Sequence, residues 1–361
     1  MYWLACAPRR PWIISLITAP CIFIVRTLDC RASGRGRRPT RGLATLLSVI
    51  CPLFLATVSS VCGEDSPPPW AYPVNPPDFK PSPDDGQLQH VPDSVAAFTV
   101  GQTRDRFLAP DWHPADHPPL PAVVAQGRKP DVFACGFCHR ADGPGGPENA
   151  NLAGLPVAYI VQQMADFKSG ARSTSVPQRL PPTLMIALAK AATDAEIQEA
   201  AAYFSSLKPR AAIRVVEADM VPKTHVAGWF LADAKSGERE PIGQLIIEVP
   251  EDLQQFENRD TRSRFIAYVP VGSVEKGKAL ATGGGDGKTL PCGVCHGPEL
   301  TGLGPLPGIA ARSPSYIVRQ LYDFQHGARA GAGSALMKGV VEKLTIEDMI
   351  SLAAYATSLQ P

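Results

Sequence analysis

Hydrophobic positions recur along the chain with two different periods, and the change of period marks out its parts. Ile160, Met164 and Phe167 stand at i, i+4 and i+7, and Ile317, Leu321 and Phe324 repeat that spacing. Each set predicts one helix with a single apolar stripe. Pro156 and Pro314 precede these stripes as helix starters, and Gly170 and Gly327 follow them as left-handed stops. Two closing helices are predicted from Thr193 to Leu207 and from Thr345 to Leu359. Thr193 with Glu196 makes a capping box, Thr345 with Asp348 its acidic variant, and proline ends both. Between these regions the texture turns β-branched and aromatic. Ile213–Val216, Val226–Leu231, Leu245–Val249 and Phe265–Val269 read as short strands punctuated by Gly, Pro and Asp. Helical patterning returns with Ser273–Thr282, the expected first helix of the C-terminal part.

The two helical regions are copies of each other. With Cys135 placed on Cys292, an offset of 157, Tyr159-Ile160-Val161 falls on Tyr316-Ile317-Val318 and Gln163 on Gln320. Asp166-Phe167 falls on Asp323-Phe324, and Gly170-Ala171-Arg172 on Gly327-Ala328-Arg329. Five residues then drop out of the second copy, after which Met185 meets Met337, Ala202-Tyr203 meets Ala354-Tyr355, and Pro209 meets Pro361. A period this long, closing on the same residue twice, indicates tandem modules of one ancestry. The expected division is 1–63 as a leader, 64–121 as a Pro-rich extension, 122–209 as module one, 210–271 as a strand-rich connecting subdomain, and 272–361 as module two.

Composition refines this picture at the N-terminus. Arg35, Arg37, Arg38 and Arg41 precede the apolar run Leu43–Val58 and the small-residue end Val61-Cys62-Gly63, an export-signal pattern. An earlier apolar run, Trp12–Val25, is short for a membrane span and contains Pro20. Two such stretches in tandem fit either an N-terminal membrane anchor or an upstream start codon; in both cases the following chain is exported. Thirty-seven prolines in 361 residues signal irregular segments, and residues 64–92 read as an extended tether. Asp111-Trp112-His113-Pro114 through Pro119 reads as a solvated loop. Pro114 denies His113 and His117 a shared helical face. The formal charge of +1 hides an asymmetry, because eight basic residues and one acid lie in the first 62. The remainder holds 27 basic and 33 acidic residues, a balance that excludes a nucleic-acid partner.

The chemistry is carried by Cys135-Gly136-Phe137-Cys138-His139 and Cys292-Gly293-Val294-Cys295-His296. C-x-x-C-H is the attachment sequence of a c-type haem, with two thiols for thioethers and a histidine for the iron. Zinc would need four ligands, and no cysteine beyond Cys62 lies outside the two motifs. A redox dithiol would not need a histidine after each pair. The run Gly283–Thr289 resembles a phosphate loop but has Thr282 where its first glycine belongs. Two covalently attached haem c groups are therefore expected.

Methionines at one shared register, Met185 and Met337, are the expected sixth ligands, since thioether sulfur raises the potential relative to a second imidazole. Met164 faces Leu321 and Met349 faces Ile197 in the repeat, so those two read as core. Arg172 and Arg329 are read either as partners of buried haem propionates or as solvated cations at helix C-termini. Tyr159 and Tyr316 read as core-edge aromatics or propionate hydrogen-bond donors.

With motif, Tyr-Ile-x-x-Gln, Phe-x-x-Gly-Ala-Arg, downstream Met and closing Ala-Ala-Tyr helix in both copies, each module resembles class I cytochrome c. The tandem resembles the soluble dihaem cytochromes c of the bacterial periplasm. The resemblance covers 135–209 and 272–361. It implies a mainly α fold, two tandem cytochrome c domains in which the first and last helices cross, here joined by a strand-rich insert. It also implies axial pairs His139/Met185 and His296/Met337. Two departures stand out: the insert itself, and Arg140 where module two has Gly297. The implied role is a carrier taking electrons from a periplasmic dehydrogenase to an oxidase or another cytochrome. The alternatives are a haem subunit permanently bound to a dehydrogenase, with the insert as docking surface, and a dihaem peroxidase-type enzyme. The enzyme would need an open iron site.

Overall fold

The computed structural model describes residues 66–361; the expected leader and Cys62 lie outside them. Each module carries the same five helices. Module one has Ala122–Ala125, Cys135–His139, Val157–Ser169, Leu180–Ala191 and Asp194–Ser206. Module two has Ser273–Gly283, Gly293–His296, Pro314–Gln325, Ser334–Val341 and Ile346–Ser358. Both capping boxes form, with Thr193 accepting from the Glu196 amide and Thr345 from the Asp348 amide. Gly170 ends the first stripe helix at φ 82°, and Gly327 follows the second at φ 76°.

First and last helices pack hardest in module two, where Gly277 sits at the crossing. A Cβ there would lie 1.9 Å from the Ser351 carbonyl oxygen, so only glycine allows the approach. Leu280, Ala281, Met349, Ile350 and Ala353 fill the core around it. In module one the first helix is a single turn, and residues 98–109 of the extension stand beside it. Ala109 donates its amide to Ala125 O at 2.8 Å.

The insert folds as expected in class but differs in detail. Ile213–Glu217, Phe265–Val269 and Ile247–Pro250 form a three-stranded sheet in that order. The first pair is parallel, with Ile213 opposite Phe265, and the second antiparallel, with Ile247 opposite Tyr268. The expected strand Val226–Leu231 is instead a hairpin, Thr224–Ala227 with Phe230–Asp233. Its turn residues Gly228 and Trp229 both take positive φ, 60° and 79°, the geometry a two-residue hairpin turn demands. Alternation within Phe265–Val269 turns Phe265, Ala267 and Val269 inward. Phe256 packs edge-on to both Phe230 and Phe265, at 4.8 and 5.0 Å between ring centres.

The insert is clamped to both modules. Arg210 pairs with Asp142 of module one at 2.6 Å. Glu248, buried in the strand Ile247–Pro250, accepts from the Ser313 hydroxyl at 2.7 Å and from Ser315 at the start of the helix Pro314–Gln325. Burial drives the Glu248 carboxyl up, against the lowering effect of those hydrogen bonds.

Two expectations about the extension are overturned. Residues 66–92 are irregular but not a tether: Trp70, Ala71 and Tyr72 are buried in the module-two core. The Tyr72 hydroxyl donates to Asp323 Oδ1 at 2.8 Å. Nor is 111–119 a solvated loop. Trp112 is buried, its Nε1 donating to Asn258 O at 2.7 Å, and His113 lies 3.0 Å from Asp260. Composition had suggested solvent, but apolar aromatic surface and paired polar tips decide burial.

Candidate functional site

Both C-x-x-C-H motifs open onto one cavity of about 600 Å3 between the modules. Cys135, Cys138, His139 and Met185 line it from one side, Cys292, Cys295, His296 and Met337 from the other, and Arg172 and Arg329 line it as well. The fold brings the two motifs to one cavity. Met185 sits on the helix Leu180–Ala191 and Met337 on Ser334–Val341, each upstream of its module's closing helix. Met349 is fully buried core, as its register implied. Met164 packs on the module-one core and also touches the cavity.

The histidines are oriented identically. His139 Nδ1 lies 2.8 Å from Ala150 O, and His296 Nδ1 lies 2.7 Å from Pro307 O, each eleven residues downstream. A carbonyl accepts only from a protonated nitrogen, so Nδ1 carries the hydrogen and Nε2 keeps its lone pair for a metal. Burial pushes the His139 imidazole down to about 4 and lowers His296 too, so both rings are neutral at physiological pH. Burial likewise pushes the thiols of Cys135 and Cys292 up, to about 12 and about 11.

The arginines are not the solvated cations of one reading. Arg172 and Arg329 are only 9 % and 7 % exposed. Each donates to the glutamine of the helix that precedes it, Arg172 to Gln163 at 2.7 Å and Arg329 to Gln320 at 3.0 Å. Each also reaches across. Arg172 donates to Tyr316 and Gln320, Arg329 to Tyr159 and Gln163. The chain segments beneath them pair antiparallel, with Ser173 N to Ala328 O and Ala330 N to Ala171 O both at 2.7 Å.

Three further arginines line the cavity that pattern reading missed: Arg179, Arg312 and Arg319. Burial and then the neighbouring Arg319 charge push Arg179 down to about 8. Nε of Arg179, Arg312 and Arg329 is buried without a partner. Three carboxylates, Glu148, Glu196 and Asp323, face five arginines around this cavity. Uncompensated buried cations of this kind are costly unless an anion joins them. A haem fits the donor set: paired thiols, a neutral imidazole with free Nε2, a thioether, apolar walls, and guanidiniums for the propionates.

Arg140 shows why module one departs from Gly297. It takes φ 67° and ψ 164°, matching the 83° and 157° of Gly297, a region that non-glycine residues enter at a cost of about 1–3 kcal/mol. Its buried guanidinium lies 4.7 Å over the Phe256 ring and 3.6 Å from Glu148. The insert supplies the contact that holds it.

No family model matches the chain. Among curated proteins it is 27 % identical over 221 residues to a thiosulfate dehydrogenase electron acceptor of Thiomonas intermedia, covering 60 % of this chain and 74 % of that one. It is 25 % identical over 244 residues to cytochrome c4 of Azotobacter vinelandii, covering 66 % and 89 %. Over 75 residues it is 33 % identical to cytochrome c-554(548) of Halomonas halodenitrificans, covering 20 % of this chain and 90 % of that one. The chain belongs to the c-type cytochromes, electron-transfer proteins whose cofactor is haem c. Within that class its repeat places it among those with two tandem class I domains. Among the described residues, no helix is long and apolar enough to cross a membrane.

Proposed function

We propose that the chain carries two haem c groups, one bonded to Cys135 and Cys138, the other to Cys292 and Cys295. His139 and Met185 would cap one iron, His296 and Met337 the other, leaving no open coordination position. Haem c supplies the one-electron couple. The chain's own residues set its surroundings. Ala150 O and Pro307 O hold the imidazoles in the coordinating tautomer. Methionine sulfur favours the ferrous state and raises the potential. Arg172 and Arg329, with Arg179, Arg312 and Arg319 around them, would offset the propionate charge. The protein would accept electrons from a periplasmic dehydrogenase and pass them to an oxidase or another cytochrome, without transforming a substrate itself. Two methionine-capped irons would leave a peroxidase-type reaction no coordination position.

The observation that carries this reading is the duplicated placement of thiol pair, carbonyl-held histidine and methionine around one cavity. A haem subunit permanently bound to a dehydrogenase is the second reading; the Thiomonas intermedia relative, named a thiosulfate dehydrogenase electron acceptor, supports a dehydrogenase as the electron donor. The test is the pyridine haemochrome of the exported protein, read against protein concentration. Two haems per chain, falling to one in Cys138→Ser with Cys135→Ser, supports the reading; any other count refutes it.

A further inference from the structure

The two iron sites share their proposed ligands and the backbone carbonyl that holds each histidine, at 2.8 and 2.7 Å. Ligand identity and hydrogen bonding, two of the levers on a haem potential, therefore do not separate them. Buried charge does. Arg140 follows His139 directly, is buried, and has Gly297 as its counterpart in module two. From the insert, Arg259 lies 3.8 Å over the Phe137 ring and donates to Phe137 O at 2.7 Å, inside the attachment motif. It has no counterpart either, because the insert is not duplicated.

The loop that carries the Ala150 carbonyl collects two more cations. Arg312 donates to Asn151 O at 2.6 Å and to Ala153 O at 2.9 Å, and Arg319 donates to Pro147 O. Both belong to module two, yet both guanidiniums end on module one. Among the described residues no arginine side chain donates to the equivalent loop, 304–310, where Pro307 O holds His296.

Opposing carboxylates are fewer. Glu148 lies 3.6 Å from Arg140, Asp142 is paired by Arg210 at 2.6 Å, and Asp260 faces His113 at 3.0 Å. Glu248 is taken up by Ser313 and Ser315. Even with Glu148, Asp260 and Glu248 all ionised, four guanidiniums leave this side of module one positive. Beside the second motif stand Lys288, paired with Asp348 at 2.7 Å, and Glu299, exposed to water. Oxidation adds a positive charge to haem iron, and positive surroundings oppose it, more strongly where water is excluded.

We propose that the module-one iron has the higher potential and that Arg140 sets the difference, so that an electron settles on module one. The inference rests on the haem reading above and adds to it the direction of internal transfer.

The experiment is a redox titration of the full holoprotein followed by NMR, with each haem assigned to its module by contacts with Phe137 or Val294. The module-one haem is reduced first. Arg140→Gly removes the charge at a φ of 67° that glycine adopts freely, so the backbone there is relieved rather than strained. The electron's preference for module one should then fall about tenfold, about 59 mV for a one-electron couple. Arg140→Lys keeps the charge and should keep the order. Glu148→Gln should move the module-one potential upward, a sign that lost packing alone does not produce. First reduction at module two in the unaltered protein overturns the proposal. So does an Arg140→Gly shift that is absent or shared equally by both haems, or a downward shift in Glu148→Gln. Haem count, read separately on the same samples, tests the haem reading; any number other than two removes that reading and this proposal with it.

Discussion

Arg172 of module one donates to the Tyr316 hydroxyl of module two at 2.9 Å, and Arg329 of module two returns the contact to Tyr159 at 3.4 Å. The two guanidiniums also lie over the phenylalanines of the preceding helices, Phe167 at 4.5 Å and Phe324 at 4.0 Å. The pseudo-symmetry of the sequence thus becomes a pseudo-symmetric clasp, and the clasp sits where both sites share a wall.

Arg172→Gln should therefore act on both stability and potential. It strips buried charge-assisted hydrogen bonds from Tyr316 and Gln320 but also removes a buried cation from beside Arg329, so the cost in a denaturant titration should be about 1–3 kcal/mol. A buried cation favours the iron state of lower positive charge, so its loss should lower a haem potential. Every 1.4 kcal/mol of lost electrostatic support corresponds to about 59 mV for a one-electron couple. Spectroelectrochemical titration checks the sign; an upward shift would remove Arg172 from the haem's electrostatics.

Gly277→Ala tests the helix crossing in module two. The new methyl would press on the Ser351 carbonyl, which is backbone and cannot swing aside. Overpacking of that kind costs about 1–3 kcal/mol, so the melting temperature should fall. Alanine normally strengthens a helix, and an unchanged or raised melting temperature would mean the crossing is looser than described.

Glu196 offers a pH test away from the cavity's centre. The Arg128 hydrogen bond, then the Thr193 cap, hold its carboxyl down at about 2, below its ordinary 4.5. Its folded value is depressed, so the stabilisation is present above about pH 4.5 and is lost as pH falls towards about 2. The pair is well solvated, so its worth at neutral pH should stay under about 1 kcal/mol. Glu196→Gln should flatten the acid limb of the stability profile and change little at pH 7. An equally steep limb in the variant would assign the acid sensitivity elsewhere.

Much of this was legible because the chain says most things twice. Comparing copies isolates Met185 and Met337, both histidines and both capping threonines from residues that merely fill space. The same filter hides what is not duplicated. Arg312 and Arg319 stand where module one has Leu155 and Gln162, so nothing in the repeat marks them as lining the cavity. Tyr72 lies in a proline-rich stretch whose composition suggests solvent, yet its hydroxyl reaches a surface some 250 residues away, donating to Arg319 O and Asp323 Oδ1. Trp229 at positive φ breaks a run that alternation alone would keep as one strand, because bulky residues seldom adopt that conformation. The carbonyls of Ala150 and Pro307 carry no side-chain signal at all. Their shared spacing of eleven residues after each histidine was the one available clue.

The most direct test of the account is the ferric holoprotein's charge-transfer band from methionine sulfur to iron, counted per chain and removed one site at a time. Two methionine-ligated irons are expected, with one lost in Met185→Ala, the other in Met337→Ala, and neither in Met164→Ala. An iron that is five-coordinate or capped by two imidazoles in the unaltered protein would contradict it.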